Sequence, residues 1–301
     1  MSNIDLLICG AGPVGCTIAN RAATLLGLNV LVVDKRSHIG GNCHDSHHSS
    51  GILMHNYGPH YFRTDNEALL NFLSNFTEWI PGNYIVKSSF NGELYPFPIN
   101  LDTLEKFFNR SFTPDQAIQF LDEKRIKIKS PSNSEEFVLN KVGKELYEAF
   151  YKNYTKKQWE IEAGQLAPSV CGRVPIRLDR RSTYPDQLYQ VMPKLGFSEM
   201  FQAMLKHSLI QTQLNTNFNQ IKGLITPKIA TVYTGPIDEY FDAKFGRLGW
   251  RSLEFEYKEF NNEYIQPCVQ INYPNEFHYT RTVEYKHITQ QKSSNTLIAY
   301  E

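Results

Sequence analysis

The stretch LLICGAGPVGCTIANRA, Leu6 to Ala22, decides the fold. Its apolar run from Leu6 to Cys9 ends in Gly10, Gly12 and Gly15, and the segment behind it, from Ile18-Ala19 to Leu25-Leu26, carries apolar residues at helical spacing. Strand, tight turn and helix in that order make a dinucleotide site. Gly10 permits the turn, Gly12 lets the backbone approach a pyrophosphate, and Gly15 lets helix and strand pack closely, while the helix N-terminus offers N–H groups to phosphate oxygens. A second buried strand, NVLVVDK, follows and ends in Asp34, where a ribose-binding acid belongs.

The bulk properties set limits around this motif. A chain of 301 residues can bury a large core and suggests two or three domains. Lysines and arginines equal acidic residues at 31 each, so nothing points to general attraction for nucleic acid or an anionic membrane, and anion binding must be local. The start, MSNIDLL, lacks the basic segment of a secretion signal, and no run approaches a membrane span; a soluble, cytoplasmic protein is expected. Five scattered cysteines, without a CxxC pair, read as reduced thiols and no structural zinc. CHDSHH, Cys43 to His48, has metal-ligating side chains but not ligand spacing, and reads as a solvated loop.

Periodicity divides the rest. The first block reads as α/β to about Ile80, with a capping box at Thr64–Glu67 before a helix carrying Leu69, Leu70, Phe72, Leu73 and Phe76, closed by Pro81-Gly82. IVKSSFNGELYPFPI reads as a hairpin around Asn91-Gly92. From there to Glu162 the pattern is helical, with a second capping box at Thr113–Gln116; the basic KRIKIK, Lys124 to Lys129, suits a solvated helix end. Beyond Arg173, RSLEFEY and FHYTRTVEY alternate as half-buried antiparallel strands, and Ile229 to Tyr233 reads as a parallel strand returning to the nucleotide sheet. The expected class is α/β. A discontinuous Rossmann-like dinucleotide-binding domain (1–83 with 208–242) would sit alongside a helical domain (100–170) and an antiparallel sheet with a loop able to act as a lid (84–99, 171–207, 243–301).

A second glycine pair, Gly40-Gly41, comes just after Asp34. A nicotinamide site has no particular need of it, whereas a chain crossing close to an extended FAD does, so a flavin is expected. CGRVPIRLDRRSTY, Cys171 to Tyr184, gathers Arg173, Arg177, Arg180 and Arg181 in a loop able to close on phosphate oxygens. Four surface arginines beside acidic neighbours are the plainer reading. The aromatic series Tyr147, Phe150, Tyr151, Tyr154 and Trp159 has the helical spacing of a core stripe.

Taken together and in order, GAGPVG, DKRSHIGGN, HNYGPHYFRTDNE, GKELYEAFYKNYTKKQW, RVPIR, TGPIDEYF, FGRLGWRSLEFE and YTRTVEYKH resemble the bacterial UDP-galactopyranose mutases, from Ile4 to about Glu301. The resemblance implies a flavin-dependent isomerase that interconverts UDP-galactopyranose and UDP-galactofuranose, the reduced FAD acting as covalent catalyst through an N5–sugar adduct. It implies a homodimer serving cell-surface polysaccharide synthesis. It assigns the cofactor to Gly10, Gly12, Val14, Gly15, Asp34, Lys35, Gly41, Asn42, His60 and Tyr61, with His60 beside the flavin ring. It assigns the substrate to Phe150, Tyr154, Thr155, Trp159, Arg173, Tyr184, Asn272 and Arg281, with Arg173 as lid arginine on the pyrophosphate, Arg281 as second clamp, and no metal.

Two positions depart from the pattern, Arg63 where a second His is frequent and Tyr84 where an Asn is common. The family pattern continues past LIAYE with a Gly-Arg motif and two tyrosines, so the expectation from sequence is poor FAD retention and little activity in this chain alone. Two rival readings remain: a flavin oxidase of the amine-oxidase type, and a UDP-sugar-binding protein without catalysis.

Overall fold

A computed structural model describes residues 3–183 and 186–301. The chain forms two compact units, 1–82 with 188–252 and 83–187 with 253–301. The first is built on β1 (Leu6–Cys9), α1 (Pro13–Leu26) and β2 (Val30–Val33). All eight strand residues are buried, because β1 and β2 are inner strands of a four-stranded parallel sheet ordered Ile210–Gln213, β2, β1, Ala230–Tyr233. The run Ile229–Tyr233 therefore does return to the nucleotide sheet, beside β1. Cys16, Ala19 and Ala23 of α1 are buried, and Asn20 Nδ2 ties the helix to the Met204 carbonyl of the helix Phe197–Leu205 at 2.9 Å. Leu7, Cys9, Leu31 and Val33 face the other way, onto Phe218, Ile221 and Tyr233.

The second unit holds both the helices and a six-stranded sheet, which the sequence reading kept apart as two domains. β3 (Val86–Phe90) forms a hairpin with Glu93–Phe97; β4 (Gln270–Asn272) lies parallel to β3. β5 (Arg281–Glu284), β6 (Thr296–Tyr300) and Glu256–Phe260 continue the sheet antiparallel. Asn91 (φ 51°) and Gly92 (φ 78°) make the hairpin turn where the Asn-Gly pair places it. The helices are α2 (Ser134–Phe150), α3 (Lys152–Trp159) and α4 (Pro168–Gly172), preceded by Leu101–Phe108 and Pro114–Lys124. Thr113 and Gln116 make the reciprocal capping box read from sequence. No helix among the described residues is long and apolar enough to cross a membrane.

Local readings fail where tertiary pairing intervenes. Thr64 ends a strand paired with Tyr189, so the next helix starts at Glu67 with Asn66 as its cap, and it ends at Leu73. Pro81 closes no helix; it belongs to the strand Trp79–Pro81, paired with Tyr189–Pro193. Of RSLEFEY only its last two residues enter a strand, and FHYTRTVEY is strand only from Arg281 to Glu284.

The approach of α1 to β1 has a measurable consequence. A Cβ built at Gly15 would stand 1.9 Å from the Gly10 carbonyl oxygen and 3.2 Å from Ile8 Cγ2. Alanine is a better helix former than glycine by about 1 kcal/mol, yet here the added methyl must push helix from strand. Gly15→Ala should destabilise the chain by about 1–3 kcal/mol or more, the scale of core overpacking. Urea denaturation measures this, and an unchanged or raised midpoint would show that the helix is free to retreat.

Candidate functional site

In the first unit the Gly10–Gly15 turn is held from several sides. Gly10 (φ 117°) donates its N–H to Val33 O at 2.7 Å, and a Cβ there would collide with the Thr234 hydroxyl. Asp34 accepts from Ala11 N through one carboxylate oxygen (2.7 Å) and from Arg36 N through the other (2.8 Å), so the acid at the end of β2 ties down the turn while keeping lone pairs for a hydroxyl ligand. Gly40 donates to Ala11 O at 2.8 Å, which brings Gly41 (φ 58°) so near that a Cβ on it would lie 3.0 Å from Gly12 Cα. Bare backbone thus faces bare backbone across the α1 N-terminus. Gly12 caps that helix without any side chain, and Val14 in its first turn is exposed. Uncapped amides at the positive end of a helix dipole favour an anion. The arrangement fits a dinucleotide pyrophosphate.

The neighbouring cofactor candidates vary in engagement. Lys35 is half exposed and pairs with Glu239 at 3.2 Å, and Asn42 accepts from Arg36 Nη2 at 2.9 Å. His60 Nδ1 lies 2.7 Å from Gly58 O and therefore carries the proton, leaving Nε2 as an acceptor when the ring is neutral. Burial raises the Tyr61 phenol pKa, against the pull of Arg63. Sequence reasoning missed His55, which is wholly buried and accepts the His60 N–H at 2.8 Å through Nδ1. Burial, then His60, lower its pKa to about 3. The stretch Cys43–His48 serves packing: Asp45 accepts from Phe197 N (2.6 Å) and Ser198 N (2.8 Å), capping the helix there, and His44 stacks on His38 with centroids 3.8 Å apart.

In the second unit, three of the four clustered arginines are neutralised. Arg177, 5% exposed, meets Asp186 at 2.8 Å; Arg180 meets Asp102 and Glu105; Arg181 meets Asp179 and Asp186. Arg173, the C-cap of α4, is exposed and has no carboxylate within ion-pairing distance among the described residues. Burial raises the Tyr154 hydroxyl pKa, and the nearby charges of Arg281 and Arg173 oppose this. Arg281 is itself clamped by Glu301, Nε to Oε2 at 2.7 Å and Nη2 to Oε1 at 2.5 Å. Burial works against its charge, but Tyr154 and Glu301 override this and hold its pKa above the usual range.

Phe150 is not open to a ligand: 2% exposed, its ring packs among Phe90, Tyr95, Phe97 and Phe107, and the core reading of the stripe holds for it. Thr155 is also buried, its hydroxyl 3.6 Å from Cys171 Sγ, whereas Tyr154 and Trp159 remain partly accessible. Asn272, 4% exposed, accepts from Gln270 Nε2 at 2.7 Å. Tyr184 lies outside the described residues. Glu301 escaped sequence reasoning because only cross-strand pairing brings it to Arg281, and Gln270 because its partner Tyr84 lies far away along the chain.

Fold and cradle define a Rossmann-type dinucleotide-binding protein, and a family model described as NAD(P)-binding Rossmann-like domain matches residues 8–76. A second, described as UDP-galactopyranose mutase, matches residues 149–301. The chain is 36% identical over 304 residues to a probable UDP-galactopyranose mutase of Klebsiella pneumoniae, covering 100% of this chain and 78% of that protein. It is 34% identical to the dTDP-fucopyranose mutase of Escherichia coli, with 98% and 80% covered. Among solved structures, reduced UDP-galactopyranose mutase matches with a TM-score of 0.73 at 14% identity, over 99% of this chain and 74% of that one. The chain belongs to the UDP-galactopyranose mutase family.

His55 gives the first unit a pH dependence of known sign. The folded chain refuses a proton at His55 down to about pH 3, while the unfolded chain accepts one near its ordinary value of 6.5. Stability contributed by the neutral ring is therefore complete above the unfolded value and is lost as pH falls through this window, by up to about 1.4 kcal/mol per pH unit. Thermal melts between neutral and mildly acid pH should fall more steeply for the native chain than for His55→Gln. Parallel pH dependences would refute the assignment.

Proposed function

We propose that this chain is a flavin-dependent isomerase that interconverts UDP-galactopyranose and UDP-galactofuranose, with FAD on the cradle of the first unit. The kinship supports the substrate class, and the Gly12–Gly41 approach with the uncapped α1 N-terminus supports a cofactor pyrophosphate there. In this reading Gly10, Gly12, Val14 and Gly15 supply backbone to the phosphates, Asp34 takes a ribose hydroxyl, and Lys35, Gly41, Asn42 and Tyr61 line the cofactor's path. His60 offers Nε2 to the flavin ring. Bound and reduced, the flavin supplies the nucleophile that lets a sugar ring contract with no net redox change. A cytoplasmic location and a homodimer belong to the same reading and rest on the family alone.

The substrate side falls to the second unit. Tyr154, Thr155 and Trp159 hold the uridine end; Arg173, Tyr184, Arg281 and Asn272 hold the diphosphate and sugar. The observation that carries this assignment is the contrast among the arginines. Arg281 is neutralised by Glu301 and serves as an oriented donor, whereas Arg173 brings an uncompensated charge close to Tyr154. A departing diphosphate concentrates negative charge, and a preorganised cation stabilises that more than it stabilises the bound substrate. Thymidine in place of uridine is the second reading, favoured by the fucopyranose mutase relative.

The test is isomerisation by FAD-loaded protein under dithionite, followed by chromatography of the nucleotide sugars. Turnover should require reduced flavin and consume no stoichiometric reductant. Arg173→Ala should lower kcat/KM by about 100-fold or more. Arg180→Ala, an exposed ion-paired position, should change it by less than about threefold. Full turnover with oxidised flavin, oxygen-consuming amine oxidation, or equal small effects at both arginines would each overturn the reading.

A further inference from the structure

The strand β4 places Gln270 and Asn272 two residues apart, on one face of the sheet. Register sets Asn272 opposite Ser88 of β3 and opposite Arg281 of β5. Glu301, just beyond β6, closes this row against Arg281, donating its backbone N–H to Arg281 O at 3.0 Å. Near this row stands Tyr84, at a position where the family pattern favours Asn. Its hydroxyl donates to Gln270 Oε1 at 2.5 Å. That fixes the Gln270 amide, whose Nε2 donates to Asn272 Oδ1 at 2.7 Å. With its oxygen turned to Gln270, Asn272 directs the other end of its amide elsewhere: Nδ2, a pure donor, has no partner among the described residues. Tyr84, Gln270 and Asn272 are 8%, 5% and 4% exposed, so water does little to blur the polarity of this relay.

We propose that Tyr84 and Gln270 are positioning residues that lock Asn272 as a hydrogen-bond donor beside Arg281, so that this site selects an acceptor-only group, the diphosphate of its nucleotide sugar. The inference rests on the substrate reading above. Neither residue need touch the ligand. Phosphate oxygens accept and never donate, and an Asn272 turned the other way would meet them with its own carbonyl oxygen.

Calorimetric titration of the full chain with UDP and with uridine, neither of which requires bound flavin, separates the possibilities. Gln270→Glu keeps shape and still accepts from Tyr84, but cannot donate to Asn272. It should turn that amide round and weaken UDP by about tenfold while leaving uridine within about twofold. Tyr84→Phe should weaken UDP by about threefold, and the pair Tyr84→Phe with Asn272→Ala should bind no worse than Asn272→Ala alone. Should Gln270→Glu fail to give a native melting curve, Gln270→Met brings no charge into the sheet and must show the same loss for UDP over uridine. Unchanged UDP affinity, equal weakening of UDP and uridine, or additive effects of the pair would overturn the positioning role. Failure of the native chain to bind UDP would instead remove the substrate reading, and this inference with it.

Discussion

Nothing heavier than hydrogen fits between α1 and β1, and the first unit is arranged around that contact. With Gly15 against the Gly10 carbonyl, the helix begins within hydrogen-bonding reach of the strand's end, and Gly12 becomes its bare cap. Asp34 can then reach Ala11 N from β2, and Gly40 can reach Ala11 O from the loop beyond. Each of these bonds holds the turn open toward the α1 N-terminus. A helix displaced by the width of a methyl would lose the geometry that turns the unsatisfied amides of Gly12, Val14 and Gly15 into an anion site.

The second unit solves a different problem, since its chemistry depends on which charges are left over. Arg177, Arg180 and Arg181 are spent on carboxylates within the same loop and the nearby helix. Arg281 is fixed by two bonds to Glu301, a geometry that gives a planar guanidinium direction as well as charge. Exposed ion pairs such as those of Arg180 and Arg181 add little stability. What they do here is leave Arg173 as the one member of its cluster with its charge uncompensated by a neighbouring carboxylate, among the described residues.

Legibility in the sequence followed the range of the interactions. The β1–α1–β2 run, the Asn91-Gly92 turn and the Thr113–Gln116 box were readable because each is decided within a few residues by backbone preference and capping chemistry. The start of the helix at Glu67 was not, because pairing of Thr64 with Tyr189, far along the chain, outweighs a local cap. The same holds for chemistry. Four arginines in one loop are visible as a cluster, but the partners that separate Arg173 from the others include Asp102 and Glu105, close in space but on a helix far earlier in the sequence. Phe150 showed helical core spacing and a family position at once, and the four rings packed around it show that the spacing was the better guide.

Balanced charge ties these features together. With 31 basic and 31 acidic residues the chain has no net field to draw an anion from a distance, and at physiological salt exposed charges are screened beyond roughly 8 Å. In the reading proposed above, selectivity for a diphosphate arises from donors whose orientation is settled before the ligand arrives. The α1 amides are settled by the glycine contact, Arg281 by Glu301, and Asn272 by the relay from Tyr84. In that reading each is held by a partner outside the ligand's contacts, and none has to reorganise when negative charge appears. Arg173 stands apart from this pattern, exposed at the end of a short helix and without a carboxylate in ion-pairing reach among the described residues.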